Sequence, residues 1–226
     1  MISKRLQVIA DLVQPQGVVV DVGCDHGYLC EYLLDRYANL HCIACDISQA
    51  CLDKVRDRDR LSKRLGDGLD VLNVTEKVHT IVIAGLGGNL MSNMLDRYLA
   101  RLSQQISQYS IQLVLSPQSD QHKVRQLLAM YNCEFVEDFV LLDGGKFYDI
   151  IKVVYNSCYD LGPSNDNKLT QLQLQFGVYY QVRNRALARK LRRELVVYSQ
   201  AILNATDVSV LQSKIDNIRE VLVWQQ

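Results

Sequence analysis

The chain has 226 residues, 48% hydrophobic and 22% charged, the balance of an ordinary globular protein with one α/β core and a small appendage. No apolar run approaches the ~18 residues of a membrane span, and seven cysteines, an odd number without framework spacing, exclude a disulfide scaffold. The formal net charge of zero hides an asymmetry: residues 1–160 carry 16 Lys/Arg against 20 Asp/Glu, and residues 161–226 carry 9 against 5. An anionic partner is therefore expected at the C-terminal end. Reduced thiols, and a start (Met1–Arg5) without an apolar leader, set the expectation of a cytoplasmic protein.

In chain order, Ser3 can cap a first helix whose apolar residues Leu6, Ile9 and Val13 recur at helical spacing, with Pro15 and Gly17 ending it. Val18-Val19-Val20-Asp21-Val22 reads as a buried strand, followed by the turn Gly23-Cys24-Asp25-His26-Gly27 and a helix to about residue 37. Residues 41–46 predict a second strand ending in Asp46. Ser48 then caps a helix through Cys51, Leu52 and Val55, with residues 56–60 as its solvated, charged end. A short third strand leads to Gly66-Asp67-Gly68, and residues 79–84 form a fourth, ended by Gly85-Leu86-Gly87-Gly88. A helix over 89–102, a fifth strand over 111–115 ended by Ser116-Pro117-Gln118, and a helix over 121–131 follow. Strands near 135–142 and 147–155 flank Asp143-Gly144-Gly145, a hairpin signal.

The order predicts an α/β fold, a Rossmann-like parallel sheet with an antiparallel hairpin at one edge. A linker at 161–167 divides it into residues 1–160 and a helical part, 161–226. There Val208, Leu211, Ile215, Ile218 and Leu222 step at coiled-coil spacing and Leu191, Leu195, Tyr198 and Ile202 make a matching stripe, so an antiparallel helical hairpin resting partly on the first unit is expected. Cys42-x2-Cys45 lies on a strand, where residues three apart face opposite sides; with no second pair, no metal site is expected.

The Gly- and Asp-rich features all fall at C-terminal strand ends, the edge where open α/β sheets bind ligands. Gly23-x3-Gly27 is not the dinucleotide spacing, and Asp25 within the loop suits a cationic ligand better than a pyrophosphate. S-adenosyl-L-methionine, a sulfonium with an ammonium group, is such a ligand. Asp46, about 23 residues past Gly23, is placed for ribose hydroxyls, Asp67 for an adenine amino group, and Asp21 with Asp25 for the ammonium. His26 would be a pocket wall. The glycines after the fourth strand would let a flat acceptor approach the backbone. Arg183, Arg185, Arg189, Lys190, Arg192 and Arg193 place six cations in eleven residues without an acid, a pattern that favours phosphate binding, with Tyr179 and Tyr180 beside it as stacking or packing residues.

The motifs Ser3-Lys4-Arg5-Leu6, Asp21-Val22-Gly23-Cys24-Asp25-His26-Gly27-Tyr28-Leu29, Gly66-Asp67-Gly68-Leu69, Ile83-Ala84-Gly85-Leu86-Gly87-Gly88 and Gly145-Lys146-Phe147-Tyr148 together resemble the bacterial tRNA (adenine-N1)-methyltransferases that modify adenine 22, the TrmK group. The resemblance covers the first unit, with a C-terminal helical pair in common. It implies a class I S-adenosylmethionine-dependent enzyme acting on tRNA without a metal. Asp21, Gly23, Asp25, His26, Gly27, Asp46, Asp67, Gly68, Ala84 and Gly85 would then line the cofactor pocket. Gly87, Gly88 and the six cations would meet tRNA, while Asn89, Ser116 and Gln118 would seat the target base. Two departures stand out: Ser116-Pro117-Gln118 replaces the family's usual Q-P-N, and Asp46 stands where Glu is common. Methylation of N1 needs in-line placement rather than a nucleophilic residue, in keeping with a sequence that offers no Ser/His/Asp or Cys/His arrangement. A methyltransferase acting on another RNA position or a small molecule, and a non-catalytic RNA-binding module, remain open at this point. So does the oligomeric state, a monomer being the simpler expectation.

Overall fold

A computed structural model describes residues 2–104, 110–156, 168–205 and 207–226. Five strands run parallel: β1 (Gly17–Val22), β2 (Leu40–Asp46), β3 (Leu61–Leu65), β4 (Thr80–Ala84) and β5 (Ser110–Ser116). The hairpin of β6 (Glu134–Asp143) and β7 (Lys146–Asn156) completes a seven-stranded sheet in the order β3-β2-β1-β4-β5-β7-β6, with β7 antiparallel to β5. Gly144 and Gly145 both take positive φ (53° and 78°), which is why this two-residue turn carries glycines.

Alternation along β1 explains the layering. Val20 and Val22 enter a core with α4 (Gly88–Ser103) and α5 (Gln121–Met130), through Met91, Leu95, Leu99, Val124 and Leu128. Val19 enters the opposite core with α1 (Lys4–Leu12) and α2 (Tyr28–Arg36), through Ile9, Leu29, Cys30 and Leu33. Cys42 and Cys45 divide between these cores, so their thiols face opposite sides of β2. Because the chain winds from β1 outward to β3 and then restarts at β4 on the other side, the loops after β1 and β4 part at a topological switch point.

The charged run 56–60 is not a helix end. Helix α3 (Gln49–Leu52) stops after one turn, and Arg58 and Lys63 pair with Asp35 and Asp57 at 2.6 and 2.7 Å. Arg60 donates to the carbonyls of Leu34, Tyr37 and Leu40, covering the C-terminus of α2, whose last carbonyls lack helical partners.

The linker expected at 161–167 lies outside the described residues. Beyond it, α6 (Gln171–Phe176), which the sequence reading did not foresee, is closed by a Thr170–Gln173 capping box. Helices α7 (Arg185–Ala201) and α8 (Ser209–Trp224) make the expected hairpin, with Leu191, Leu195, Tyr198, Ile218 and Leu222 of the expected stripes in its cluster. Leu191, Ile215, Ile218 and Val221 are buried, while Val208 is exposed. The two helices do not pair alone: Val140 of β6 and Phe176 of α6 complete the cluster.

A buried ion network ties this part to the sheet. Arg125 of α5, with no exposed surface, donates twice to Asp138 at 2.8 Å, once to Asp149 at 2.8 Å and once to the Leu174 carbonyl at 3.1 Å. Lys190 of α7 donates to the second oxygen of Asp149 at 3.1 Å, and the backbone N–H of Val178 donates to Asp138 at 2.7 Å. Burial opposes the charge of Asp149, yet Lys190 and Arg125 outweigh it and hold the carboxyl below its ordinary pKa.

Candidate ligand edge and nucleic-acid interface

Valines give way to an aspartate and then to glycine at the end of β1, so a buried strand turns abruptly. Gly23, Asp25 and Gly27 all have positive φ (70°, 50° and 68°). The N–H groups of Gly23 and Cys24 donate to the Cys45 carbonyl at 2.9 and 3.0 Å, which ties this loop to the end of β2. Gly27 opens α2 and sits against Val55, where a β-carbon would lie 2.7 Å from a valine methyl. Asp46 crosses the same gap: its two carboxylate oxygens accept the N–H groups of Asp25 (3.1 Å) and Ser48 (2.9 Å). A carboxylate offers about four acceptor sites, so half of its capacity remains for a ligand hydroxyl.

Asp21 lies beneath this loop, 6% exposed, with the weakly donating Cys30 thiol 3.8 Å away. Burial, with the nearby charge of Asp46 adding to it, pushes its carboxyl up to about 7 despite that thiol. His26 stacks on Tyr28 with ring centroids 5.3 Å apart, and its Nδ1 is 2.9 Å from Asp25 Oδ1. The thiols of Cys24, Cys30 and Cys45 are pushed upward, chiefly by burial for Cys24 and Cys45 and by the Cys42 contact for Cys30. They stay protonated at neutral pH, so none supplies a thiolate nucleophile.

Asp67, half exposed, lies 3.6 Å from Arg97 across the loop after β3. Gly68 has a positive φ and a β-carbon there would fall 2.6 Å from the Met94 sulfur, so its smallness serves packing on α4. Among the described residues no group of three or more His, Cys, Asp or Glu could hold a metal ion.

The loop after β4 faces the one after β1: a β-carbon on Gly23 would meet the Leu86 side chain at 3.6 Å. Gly85 (φ +97°) donates its N–H to the Ser116 carbonyl at 3.0 Å, joining the ends of β4 and β5 beside Ala84. A β-carbon on Gly85 would meet the Gln118 amide at 3.6 Å and the Arg5 guanidinium at 3.8 Å. Gln118 is exposed, whereas Ser116 is buried and its hydroxyl lacks a hydrogen-bond partner. Gly87 precedes α4 with an ordinary extended conformation. Gly88 corrects the reading as a substrate contact: it is buried, and a β-carbon would fall 2.3 Å from the Ser119 carbonyl oxygen. Asn89 is also committed elsewhere, donating to Asp120 at 3.3 Å and accepting from Lys123 at 2.6 Å.

Of the six cations around α7, Arg183, Arg185, Arg189 and Arg192 are exposed. Arg193 is exposed and lies 5.1 Å over the Phe147 ring, whereas Lys190 is spent on Asp149. Of the stacking and packing roles open to the two tyrosines, the structure shows packing contacts: Tyr179 donates its hydroxyl to the Phe135 carbonyl, and Tyr180 packs on the α7–α8 cluster.

The placement of two arginines escaped the sequence reading. Arg125 holds the ion network, and its only sequence signal was a cation three residues before Leu128 on the apolar face of α5. Arg5 reaches Gly85 because its N–H is bound by Asp143, 138 residues away, at 3.0 Å, a contact that no spacing rule contains.

No helix among the described residues is long and apolar enough to cross a membrane. A family model described as a methyltransferase domain matches residues 2–151. A Mycoplasma genitalium protein provisionally named a tRNA methyltransferase is 31% identical over 160 residues, covering 67% of this chain and 69% of that protein. The tRNA (adenine(22)-N(1))-methyltransferase of Bacillus subtilis is 28% identical over 157 residues, 66% of this chain and 63% of that protein. The crystal structure of a provisionally named tRNA (m1A22) methyltransferase of Streptococcus pneumoniae, in complex with S-adenosyl-L-methionine, matches with a TM-score of 0.83 and 28% identity over 98% of this chain and 100% of that one. That match takes in the helical C-terminal part as well as the sheet. With its seven-stranded sheet, its ligand edge and a family match over residues 2–151, the chain belongs to the methyltransferase-domain family.

Proposed function

We propose that this protein methylates N1 of an adenine in tRNA, adenine 22, using S-adenosyl-L-methionine, with residues 1–160 as the catalytic unit and 161–226 as a tRNA-contacting unit. The observation that carries the reading is Asp21: a buried carboxyl with no cationic partner among the described residues, under the glycine loop at the switch point of a methyltransferase sheet. Such a group costs stability unless a positive ligand group comes near it. S-adenosyl-L-methionine supplies an electrophilic methyl on sulfur together with an ammonium.

The donor set fits that molecule. Asp46 has acceptor capacity left for ribose hydroxyls, and Asp67 stands exposed for an exocyclic amine. Asp21 and Asp25 place negative charge at the β1 loop for the ammonium, with Gly23, His26, Gly27, Gly68, Ala84 and Gly85 shaping the walls. On the acceptor side, Gly85 and Gly87 let a base approach the backbone closely. The Gln118 amide, beside Gly85, can take the adenine edge, and buried Ser116 can orient through its free hydroxyl. N1 already carries a lone pair, so these residues need only align it and exclude water. The base must first leave its stack, at a cost of a few kcal/mol. Arg183, Arg185, Arg189, Arg192 and Arg193 supply the phosphate contacts to offset that cost. Such a substrate would place the protein in the cytoplasm.

The test is methyl transfer to unmodified bulk bacterial tRNA, followed by digestion to nucleosides and mass spectrometry. New 1-methyladenosine supports the reading. A different methylated nucleoside, or none from a protein that binds S-adenosyl-L-methionine, contradicts it and directs attention to Ser116-Pro117-Gln118.

A further inference from the structure

We propose that Arg5 is a substrate anchor that grips a backbone phosphate flanking the target adenosine, an assignment that rests on the tRNA reading above. Arg5 belongs to the first turn of α1, yet its guanidinium and the Gln118 amide converge on Gly85, at 3.8 and 3.6 Å from the position of an added β-carbon. Two restraints hold it there. Its backbone N–H donates to Asp143 at the tip of the β6–β7 hairpin, and its guanidinium lies 4.8 Å over the Tyr148 ring. Cation–π contact orients the planar fork without consuming its hydrogen-bond donors. Nη1 is shielded from solvent and has no hydrogen-bond acceptor, and no carboxylate pairs with Arg5 among the described residues. Four aspartates, Asp21, Asp25, Asp46 and Asp67, also stand on this edge, where Arg97 lies 3.6 Å from Asp67.

Chemistry narrows what Arg5 can hold. The sulfonium and ammonium of S-adenosyl-L-methionine would repel a guanidinium, but its carboxylate would not. Cofactor affinity in the Arg5 variants therefore decides between the two sides of the edge: a marked loss in Arg5→Ala would assign Arg5 to that carboxylate and overturn the anchor. Contact with N1 itself is unsuitable, because a donor there would occupy the lone pair that must attack, and the methylated base is cationic. A phosphate satisfies both limits and matches the bidentate fork. Phe147 and Tyr148 are neighbours on β7 and point to opposite faces, Phe147 with Arg193 above it and Tyr148 with Arg5. One arginine thus stands on each face of the hairpin near its tip, Arg193 of the exposed α7 cations on one and Arg5 beside Gly85 on the other.

The experiment compares wild type, Arg5→Ala and Arg5→Lys on a tRNA stem-loop in which each phosphate flanking the target adenosine is replaced singly by a neutral methylphosphonate. Affinity for S-adenosyl-L-methionine should stay within about twofold in both variants, which shows that the ligand edge is intact. On unmodified RNA, Arg5→Ala should lose about 10- to 100-fold in kcat/KM, as expected for a charge-assisted contact. Arg5→Lys should recover part of that loss. At one flanking position the methylphosphonate should cost wild type as much and Arg5→Ala nothing further. The dependence of RNA affinity on salt should fall by about one charge in Arg5→Ala. Additive losses at every flanking position, or an unchanged salt slope, would overturn the anchor. The salt slope is read from binding and needs no turnover, so a wild-type protein that binds this RNA without methylating it contradicts the reaction assigned above and leaves the Arg5 assignment to be decided by the slope.

Discussion

The protein buries carboxylates in two places and treats them oppositely. Asp138 and Asp149 meet Arg125 and Lys190 directly, and Asp149 is held below its ordinary pKa. Asp21 is as deeply placed, meets a thiol and no cation among the described residues, and is pushed up to about 7. The first arrangement closes its charges internally and fastens α6 and α7 to the sheet. The second leaves a charge unbalanced at the edge where the fold binds ligands. Self-sufficient polar groups mark architecture, and unbalanced ones mark a binding site.

The largest effect that would sharpen this contrast comes from the closed network. Arg125→Met should destabilise the protein by about 3–5 kcal/mol in urea unfolding, because two buried carboxylates lose their shared cation. Asp149 has its folded pKa depressed, so its contribution is present above the unfolded value and is lost as pH falls through the folded one. In Arg125→Met that acid dependence should shrink.

The ligand edge should answer in binding rather than in folding. Asp46→Ala should weaken S-adenosyl-L-methionine by at least about 30-fold by calorimetry while tRNA affinity stays near wild type. Unchanged cofactor affinity would show that the ligand does not sit against the end of β2. Reversing Arg185, Arg189 and Arg192 to Glu should produce the opposite pattern: tRNA affinity falls more than tenfold, its salt dependence flattens, and cofactor affinity holds.

A smaller effect belongs to Asp21. Its folded pKa is raised, so its favourable contribution is complete below pH ~4 and is lost as pH rises through about 7. Without ligand, Asp21→Asn should be more stable than wild type at pH 8 by on the order of 2 kcal/mol, and no more stable at pH 4. Cofactor affinity of the wild type should rise between pH 6 and 8, and that rise should be absent in Asp21→Asn.

These contrasts also show what the sequence could disclose. The glycine loops, the acids at strand ends and the hairpin turn were legible because each is a local pattern with a local cause, such as positive φ at Gly23 or alternation along β1. Most of the α7–α8 seam was legible, whereas exposed Val208 and the part taken by Val140 and Phe176 were not, since heptad spacing contains no information about a third element. Glycine was the least specific signal: Gly85 lines the edge, whereas Gly68 and Gly88 are small for packing on Met94 and on the Ser119 carbonyl. Arg5 was legible as part of a motif, but its placement and that of Arg125 were not, because both depend on partners from distant strands, as do the commitments of Asn89 and Lys190 to partners distant in sequence.

The reaction itself is tested most directly by mapping. Purified protein would be incubated with S-adenosyl-L-methionine and an unmodified tRNA transcript, alongside the same transcript with guanosine in place of adenosine 22. Methylation at N1 blocks Watson–Crick pairing, so reverse transcription should stop next to position 22 in the first transcript and run through in the second. A stop elsewhere, or methylation that survives the adenosine-to-guanosine change, would contradict the assignment.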